Sequence, residues 1–273
     1  MRNSGMSRLK VSILRNEDPL SGEKWALACE KIGIDSNIID LTASKWLEHI
    51  QDSNSDFFLL RPAGMLDHYK ILYDERLYII NKILGFKTYP SYEESYIYEN
   101  KKLLSYYLKA SGIPHPETKL FYDQSDANAF INQISMPVVA KTSIGASGSG
   151  VQIIKDKEAA RKYIKKAFSG KGIKRRFGPN RTVGSPGKWL TKALKSPSYF
   201  TKKMKQYFLI YAHGERDLVL FQEYIPHRFE WRVVKIGESY FAHQKIKHKD
   251  KASGSKGIDY VNPPLKLLDF VRG

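Results

Sequence analysis

The stretch KTSIGASGSG, residues 141–150, joins two short apolar runs, MPVVAKT at 136–142 and VQIIK at 151–155. The two runs predict strands, and the glycine- and serine-rich stretch between them predicts the turn of a hairpin. A lysine at the end of a strand, followed by such a turn, offers a cation and several free backbone N–H groups, which together suit a polyphosphate. Lys141 and the turn after it therefore form the first candidate binding site.

Other phosphate-binding patterns do not fit this stretch. No Gly-Lys-Ser/Thr closes it before a helix, as a Walker A loop requires, and the dinucleotide order G-x-G-x-x-G does not occur. A protein kinase is disfavoured because its glycine loop precedes the lysine, whereas Lys141 comes first here, and neither HRD nor DFG is present. Taken alone, the stretch is also compatible with a glycine-rich turn that binds nothing.

The first 90 residues show the alternation of strands and helices that is typical of a small parallel α/β unit. Apolar runs predict buried strands at 10–15, 37–41 and 56–60, and helical spacing of apolar residues predicts helices at 22–31, 43–50 and 67–84. The segment Tyr89-Pro90-Ser91 breaks this pattern. We therefore predict a domain at 1–90 and a second domain at 91–273.

The second domain is predicted to mix helices with antiparallel strands. Around the hairpin we predict helices at 98–111, 126–133 and 157–168, a strand at 118–122, and an antiparallel meander of strands at 218–224, 230–236 and 239–245. The segment GKGIKRRFGPNRTVGSPGKW at 170–189 has little periodicity and many Gly and Pro residues, and its middle is predicted to be a mobile loop.

The net charge of +17 is concentrated in one segment. Residues 155–207 hold 17 Lys or Arg against Asp156 and Glu158, a net of +15. A local basic insert in a near-neutral chain indicates a patch that serves another site and an anionic partner. The alternative is a nucleic-acid-binding module, in which Lys174, Arg175, Arg176 and Arg181 contact phosphates while Phe177 or Trp189 stacks on a base.

Composition narrows the class of protein further. No apolar run is long enough to cross a bilayer and the N-terminal apolar stretch is short, so we expect a soluble, cytoplasmic protein. Cys29 is the only cysteine, so the chain forms no intramolecular disulfide. The seven histidines show no metal-ligand spacing and are interpreted as ordinary polar residues.

Two further motifs accompany the hairpin. Asn100-Lys101 opens a predicted helix about forty residues before Lys141, and Gln222-Glu223-Tyr224-Ile225 is followed by Glu230. This constellation, over about residues 97–245, resembles the ATP-grasp superfamily. It is most similar to the branch of RimK-like and D-alanine–D-alanine-ligase-like carboxylate–amine ligases. The resemblance implies an N-terminal α/β domain followed by an ATP-grasp domain of two α+β subdomains, at about 91–215 with the basic insert and about 216–273.

The resemblance implies a role for each matching residue. Lys101 would contact the α-phosphate, and Lys141 would lie near the adenine and the phosphates. The glycine-rich loop would close over the β- and γ-phosphates, with N–H groups from Ser147, Gly148 and Ser149. Beyond the loop, Glu223 would accept from the adenine amino group, the backbone of Tyr224 and Ile225, after Gln222, would hold the adenine edge, and Glu230 would bind the ribose hydroxyls.

Arg232 and Lys245 are the candidate catalytic residues. They lie on consecutive predicted strands, where alternation is expected to place both on one face. Related enzymes keep basic side chains here to stabilise charge on the activated intermediate. Arg61, after the third predicted strand, is a weaker candidate contact for the acceptor.

The implied activity is ATP-dependent, ADP-forming ligation of a carboxylate to an amine through an acyl-phosphate, with ATP and Mg²⁺ as cofactors. The basic insert would suit an anionic acceptor such as a polysaccharide or an acidic peptide. One departure concerns the metal. The family holds Mg²⁺ with an acidic residue and a later Glu-x-Asn pair, and the sequence reaches Gly273 before any such pair. No metal ligand is therefore assigned, and the second subdomain is expected to be truncated. Two alternatives are Mg²⁺ held largely by ATP phosphates and water, and a nucleotide-binding protein without ligase activity.

Overall fold

The computed structural model describes residues 9–17, 21–145, 148–175, 197–248, 251–252 and 257–273. The described residues form two compact units. The first comprises residues up to His115 together with 143–145, and the second comprises 116–142 and 148–273. The domain boundaries predicted near residues 90 and 215 stay predictions.

The first unit is built on a four-stranded parallel sheet of order β2-β1-β3-β4. Its elements are β1 (Lys10–Arg15), α1 (Glu23–Lys31), β2 (Asp35–Asp40), α2 (Trp46–Gln51), β3 (Phe57–Leu60), α3 (Asp67–Tyr78), a π-turn (Ile79–Ile83), β4 (Thr88–Tyr89), α4 (Tyr92–Ile97) and α5 (Lys101–Ala110). Leu14, Phe58 and Leu60 are buried with Tyr73 and Leu77 of α3. The apolar strands therefore form a core with the helices that connect them, as predicted.

One helix of this unit was missed and another was predicted to begin too early. The helix predicted at 98–111 begins at Lys101, after Glu99, whose φ of 51° interrupts helical geometry. The separate helix α4 precedes it. The Ser91 hydroxyl accepts from the Glu94 N–H at 3.2 Å, and the Glu94 carboxylate accepts from the Ser91 N–H at 2.9 Å. This capping box, S-x-x-E in the sequence, is a signal that predicts a helix start.

The second unit begins with an antiparallel sheet of order β5-β8-β6-β7. Its elements are β5 (Thr118–Phe121), α6 (Gln124–Gln133), β6 (Val138–Lys141), β7 (Val151–Ile154), α7 (Lys157–Ala167), α8 (Pro197–Ala212) and β8 (Val219–Glu223). Phe221 of β8 is buried among Ile131 of α6 and Ile164 of α7. The two helices therefore cover one face of the sheet, and the opposite face is available for a site.

The rest of the second unit is a long hairpin with short additions: β9 (Phe229–Ile236), β10 (Ser239–His248), β11 (Lys251–Ala252), β12 (Ile258–Asp259) and the helix α9 (Leu265–Arg272). The predicted three-stranded meander is wrong in one respect, because β8 pairs with β5 and β6 and not with β9. The physical reason is burial: residues 219–221 are fully apolar and buried, whereas β9 is mostly exposed. A buried strand belongs in the middle of a covered sheet.

The basic segment contains helix α8, which the sequence analysis missed. The predicted mobile loop at 170–189 lies mostly outside the described residues, but Ile173 forms an antiparallel bridge with Glu215 after α8. Within the described residues, no helix combines the length and apolar composition needed to cross a bilayer. The parallel sheet and the antiparallel sheets confirm the predicted mixed α/β class.

Candidate active site

A cavity of about 350 Å³ lies in the second unit, on the side of the sheet that faces away from α6 and α7. Strand alternation explains its walls, because Val138 and Ala140 of β6 are buried against the helices while Val139 and Lys141 line the cavity. Six of the ten predicted nucleotide-binding residues line it: Lys141, Gln222, Glu223, Tyr224, Ile225 and Glu230. Segments that lie about 80 residues apart in sequence therefore meet at one place, because β6 and β8 are paired neighbours.

Lys141 is held by a chain of hydrogen bonds. Its Nζ donates to the Gln222 side-chain oxygen, and the Gln222 Nε2 donates to the Thr118 hydroxyl at 2.9 Å. The Thr118 hydroxyl in turn donates to the Pro116 carbonyl at 2.9 Å. Both ends of the Gln222 amide are thus engaged, and this side chain orients the lysine.

The turn that follows β8 is tied to the first strand of the sheet. The Glu223 N–H donates to the Glu117 carbonyl at 2.8 Å, and the Glu223 carboxylate accepts from the Glu117 N–H at 3.3 Å. The next side chain, Tyr224, meets Lys247 of β10, whose Nζ lies 3.2 Å from the phenol oxygen and 5.1 Å from the ring centroid. Sequence analysis missed Lys247, although the alternation Lys245-x-Lys247 places it on the same face as Lys245.

The register of β9 with β10 places four polar side chains on one face. Glu230 lies opposite Lys245, and Arg232 lies opposite His243, so the two predicted catalytic cations share this face with the predicted ribose ligand. Burial lowers the pKa of Lys245, and the nearby positive charge of Arg232 lowers this pKa further, while Glu230 opposes the change. Arg232 and Lys245 therefore form a compact cationic group beside the Glu230 carboxylate.

His227 also lines the cavity, and the sequence analysis had interpreted it as an ordinary polar residue. Its Nδ1 lies 2.7 Å from the Ile225 carbonyl oxygen, and its Nε2 lies 3.2 Å from the Glu230 carboxylate. The spacing of His227 to Glu230 gives no metal or catalytic pattern, so the sequence held no clear signal for this contact.

Lys101 belongs to the first unit, at the start of α5. Its Nζ donates to the Gly145 carbonyl at 2.5 Å and lies 3.8 Å from the Glu99 carboxylate, and its backbone N–H donates to the Ser143 carbonyl at 2.8 Å. The lysine predicted to contact the α-phosphate is thus associated with the start of the glycine-rich loop.

The remaining predicted loop residues belong to the connection between β6 and β7. Ser147 lies outside the described residues, while Gly148 has a φ of 63°, which favours glycine. Gly150 is needed for a different reason, because a Cβ at this position would lie 1.9 Å from the hydroxyl of Thr142, which is 2% exposed. Gly148 is therefore favoured by its backbone conformation, and Gly150 by the close approach of the Thr142 side chain.

No metal site is assigned. In the part of the chain that the structure describes, no group of three or more His, Cys, Asp or Glu residues could hold a metal ion. The carboxylates of the cavity, Glu223 and Glu230, contact Glu117 and His227 respectively. The described residues therefore identify no Mg²⁺ site, and we derive no chemical step through this ion.

Comparisons with known proteins agree with this arrangement. A model of the RimK-like ATP-grasp domain matches residues 99–173, and no curated protein sequence matches the chain. A RimK domain protein ATP-grasp from Sphaerobacter thermophilus is similar in structure, with 16% identity and a TM-score of 0.55, covering 96% of this chain and 80% of that chain. D-alanine–D-alanine ligase from Bacillus anthracis complexed with ATP gives 13% identity and a TM-score of 0.55, covering 96% and 74%. The ADP complex of N5-carboxyaminoimidazole ribonucleotide synthetase gives 14% identity and a TM-score of 0.55, covering 98% of this chain and 64% of that chain. These likenesses confirm the predicted fold and the predicted resemblance to RimK-like and D-alanine–D-alanine-ligase-like proteins.

Proposed function

We propose that this chain, which has the ATP-grasp fold and a RimK-like segment, binds ATP in the cavity of its second unit and uses it to join a carboxylate to an amine. The convergence of Lys141, the turn after β8 and Glu230 on one cavity carries the proposal. The fold neighbours include proteins complexed with ATP and with ADP, which supports a nucleotide as the ligand.

The cavity offers a suitable group for each part of ATP. The apolar side chains of Val139, Val151 and Ile153 form walls for a planar base. The Glu223 carboxylate and the backbone of residues 224–225 would hold the adenine edge, and Glu230 would accept from the ribose hydroxyls. Lys141 would bind phosphate oxygens, with N–H groups from Ser147, Gly148 and Ser149. The contact of Lys101, in the first unit, with the α-phosphate stays a prediction of the family resemblance.

The reaction then follows from charge and positioning. A carboxylate oxygen of the substrate attacks the γ-phosphorus, the bond from that phosphorus to the β–γ bridging oxygen breaks, and ADP leaves. The amine attacks the carbonyl carbon of the acyl-phosphate and loses a proton, and phosphate leaves as the amide forms. Arg232 and Lys245 would stabilise the negative charge on the phosphoryl group during both steps.

An anionic acceptor is favoured by the surface of α7. Arg161, Lys162, Lys165 and Lys166 are exposed on this helix. Lys162 is paired with Glu158, and the four cations lie on the side of the sheet opposite the cavity, where they favour a polyanionic partner over a neutral one. We therefore propose that the acceptor or its carrier is acidic, for example a polysaccharide with carboxylate groups or an acidic peptide.

The nucleic-acid alternative has less support. Arg175, which would contact a phosphate in that reading, is 3% exposed. Lys174 lies 4.6 Å from the Tyr211 ring centroid. The other residues named for that reading, Arg176, Phe177, Arg181 and Trp189, lie outside the described residues.

Hydroxylamine tests the ligase directly, because this amine converts an acyl-phosphate into a stable hydroxamate. We expect the chain, with Mg-ATP and hydroxylamine, to release ADP and form a hydroxamate when the correct carboxylate is present in a panel of uronic acids, amino acids and acidic peptides. ADP release without hydroxamate in the whole panel would contradict acyl-phosphate formation. ATP binding with neither product would support the alternative of a nucleotide-binding protein without ligase activity.

The pH dependence of phosphate affinity gives a second prediction. We expect Arg232→Gln to move the alkaline loss of ATP affinity to higher pH. A lysine with a lowered pKa loses its charge, and with it its attraction for phosphate, at a lower pH than an ordinary lysine. Removing the positive charge of Arg232 raises the pKa of Lys245, so this lysine keeps its charge to a higher pH, although burial still lowers its pKa. Calorimetry from about pH 8 to 10.5 covers this range.

One further variant completes the pH experiment. Lys245→Gln should remove the part of the alkaline loss that Arg232→Gln moves, because the lysine next to Arg232 is then absent. An alkaline limb that is identical in the wild type and in Arg232→Gln would show that Lys245 does not bind the phosphates.

A further inference from the structure

His227 bridges two parts of the cavity through both nitrogens of its ring. It lies in the connection between β8 and β9, with Nδ1 2.7 Å from the Ile225 carbonyl oxygen and Nε2 3.2 Å from the Glu230 carboxylate. The side chain is 33% exposed and that of Glu230 is 51% exposed. The ring therefore links the backbone of the turn after β8 to a carboxylate on β9.

Both partners of the ring accept hydrogen bonds and neither donates. A neutral imidazole carries one N–H, whereas an imidazolium carries two. Only the protonated ring can donate to the Ile225 carbonyl and the Glu230 carboxylate at the same time. In the neutral ring, one nitrogen lone pair faces an oxygen, and one of the two contacts is lost.

Other charged and titratable groups share the cavity with this ring: Lys141 from β6, Glu223 and Tyr224 from β8 and the turn after it, and Lys247 from β10. Lys141 contacts Gln222, and Lys247 contacts the Tyr224 phenol. The carboxylate that contacts the His227 ring is that of Glu230, and this contact is charge-assisted when the ring is protonated.

We infer that His227 is a positioning residue that holds the Ile225 carbonyl and the Glu230 carboxylate in place for the nucleoside part of ATP, and that it does so as an imidazolium. The inference rests on the proposed function, in which the Ile225 backbone contacts the base and Glu230 the ribose. A carboxylate has enough lone pairs to accept from His227 and from a ribose hydroxyl together. Nucleotide affinity then depends on whether the ring is protonated, because only the protonated ring makes both contacts.

Calorimetric titrations of ATP at pH 5.5 and pH 8.5 test this inference with the wild type, His227→Gln, Glu230→Gln and the double variant. The phosphates of ATP also titrate in this interval, so the readout is the ratio of wild-type to variant affinity at each pH, from which that effect cancels. His213→Gln is a matched control, because the His213 Nδ1 also contacts a backbone carbonyl, that of Leu209, in a helix that does not line the cavity. Titrations with 2′,3′-dideoxy-ATP remove the hydroxyls that Glu230 would bind.

We expect the wild type to bind ATP about three- to tenfold more tightly than His227→Gln at pH 5.5 and about equally at pH 8.5, since one charge-assisted contact is at stake. The ratio at pH 5.5 should fall when Glu230 is already Gln, and it should also fall with dideoxy-ATP, because only the contact of His227 with the Ile225 carbonyl then acts on the nucleotide. ATP binding with the same wild-type to His227→Gln ratio at both pH values would overturn the inference alone. A folded wild type that binds no ATP at either pH would overturn the proposed function and this inference with it.

Discussion

Replacing Lys141 with alanine is expected to weaken ATP binding by about 10- to 100-fold, because charge-assisted hydrogen bonds contribute about 1.5–3 kcal/mol. The lysine ends β6 at the cavity, and the hydrogen bond to Gln222 holds its ammonium group in one orientation. The Lys141 ammonium group is already ordered before ATP binds. The loss of its contact with the phosphates is therefore not offset by a smaller entropy cost of ordering this side chain. Calorimetry with ATP and with adenosine measures the effect, and adenosine should lose much less because it carries no phosphates.

Two further variants test whether the loss of affinity comes from the Lys141 cation in particular. Gln222→Ala keeps the Lys141 cation but removes the group that orients it, so its loss of ATP affinity should be smaller than that of Lys141→Ala. Lys162→Ala removes an exposed lysine of α7, 76% exposed and paired with Glu158, and should bind ATP as the wild type does. If Lys141→Ala also bound ATP normally while remaining folded, the phosphates would have to lie elsewhere.

Replacing Lys70 with methionine is expected to lower the free energy of unfolding of the first unit by about 3–5 kcal/mol, the usual cost of removing one partner of a buried ion pair. Lys70 is 1% exposed, and its Nζ donates to the Asp74 carboxylate and, at 3.0 Å each, to the carbonyls of Ser95 and Tyr96 at the end of α4. Burial lowers the pKa of Lys70 and raises the pKa of Asp74, while the ion pair opposes both changes. Methionine fills the space but leaves one carboxylate and two carbonyls without this donor.

Urea denaturation followed by circular dichroism measures the change, and the same unit supplies a matched control. Lys82 pairs with Glu93 at the surface, where the side chains are 42% and 61% exposed, so Lys82→Met should have a much smaller effect. Lys70→Met combined with Asp74→Leu should recover part of the loss, because the unpaired carboxylate is then gone. Equal effects of Lys70→Met and Lys82→Met would show that burial of the first pair is unimportant for stability.

Local patterns in the sequence predicted much of the fold. Three of the four parallel strands of the first unit and the hairpin of β6 and β7 were predicted because each has a continuous apolar run bounded by turn residues, whereas the two-residue strand β4 was missed. The neighbours of β8 were not predicted, since an apolar run identifies a strand without naming its partners. Helix α4 was missed although its capping box is visible in the sequence, and α8 was missed because no element was predicted between residue 189 and the strand at 218–224.

The candidate site was predicted as a set of residues but not as a geometry. Lys141, Glu223 and Glu230 were identified through motif order, and the pairing of β6 with β8 explains why the first two meet. Gln222 lines the cavity and its amide engages Lys141 and Thr118, and its predicted role in nucleotide binding stays a prediction. The contacts of His227 and Lys247 depend on the path of the turn after β8 and on the β9–β10 register, which no short pattern specifies.

The position of β8 between β5 and β6 has a consequence for synthesis of the chain on the ribosome. The hairpin of β6 and β7 is local and pairs early, but β5 pairs with β8, about 100 residues later, and so remains an open edge until residues 219–223 emerge. A nascent chain that ends before β8 therefore exposes unpaired strand edges and has no wall for the cavity. The length of the connection from β7 to β8 adds little to the free-energy cost of pairing β8, because the entropy cost of closing a loop grows only logarithmically with its length. Insertions in this connection thus leave the sheet order intact, and new binding surfaces can be acquired there without rebuilding the nucleotide cavity.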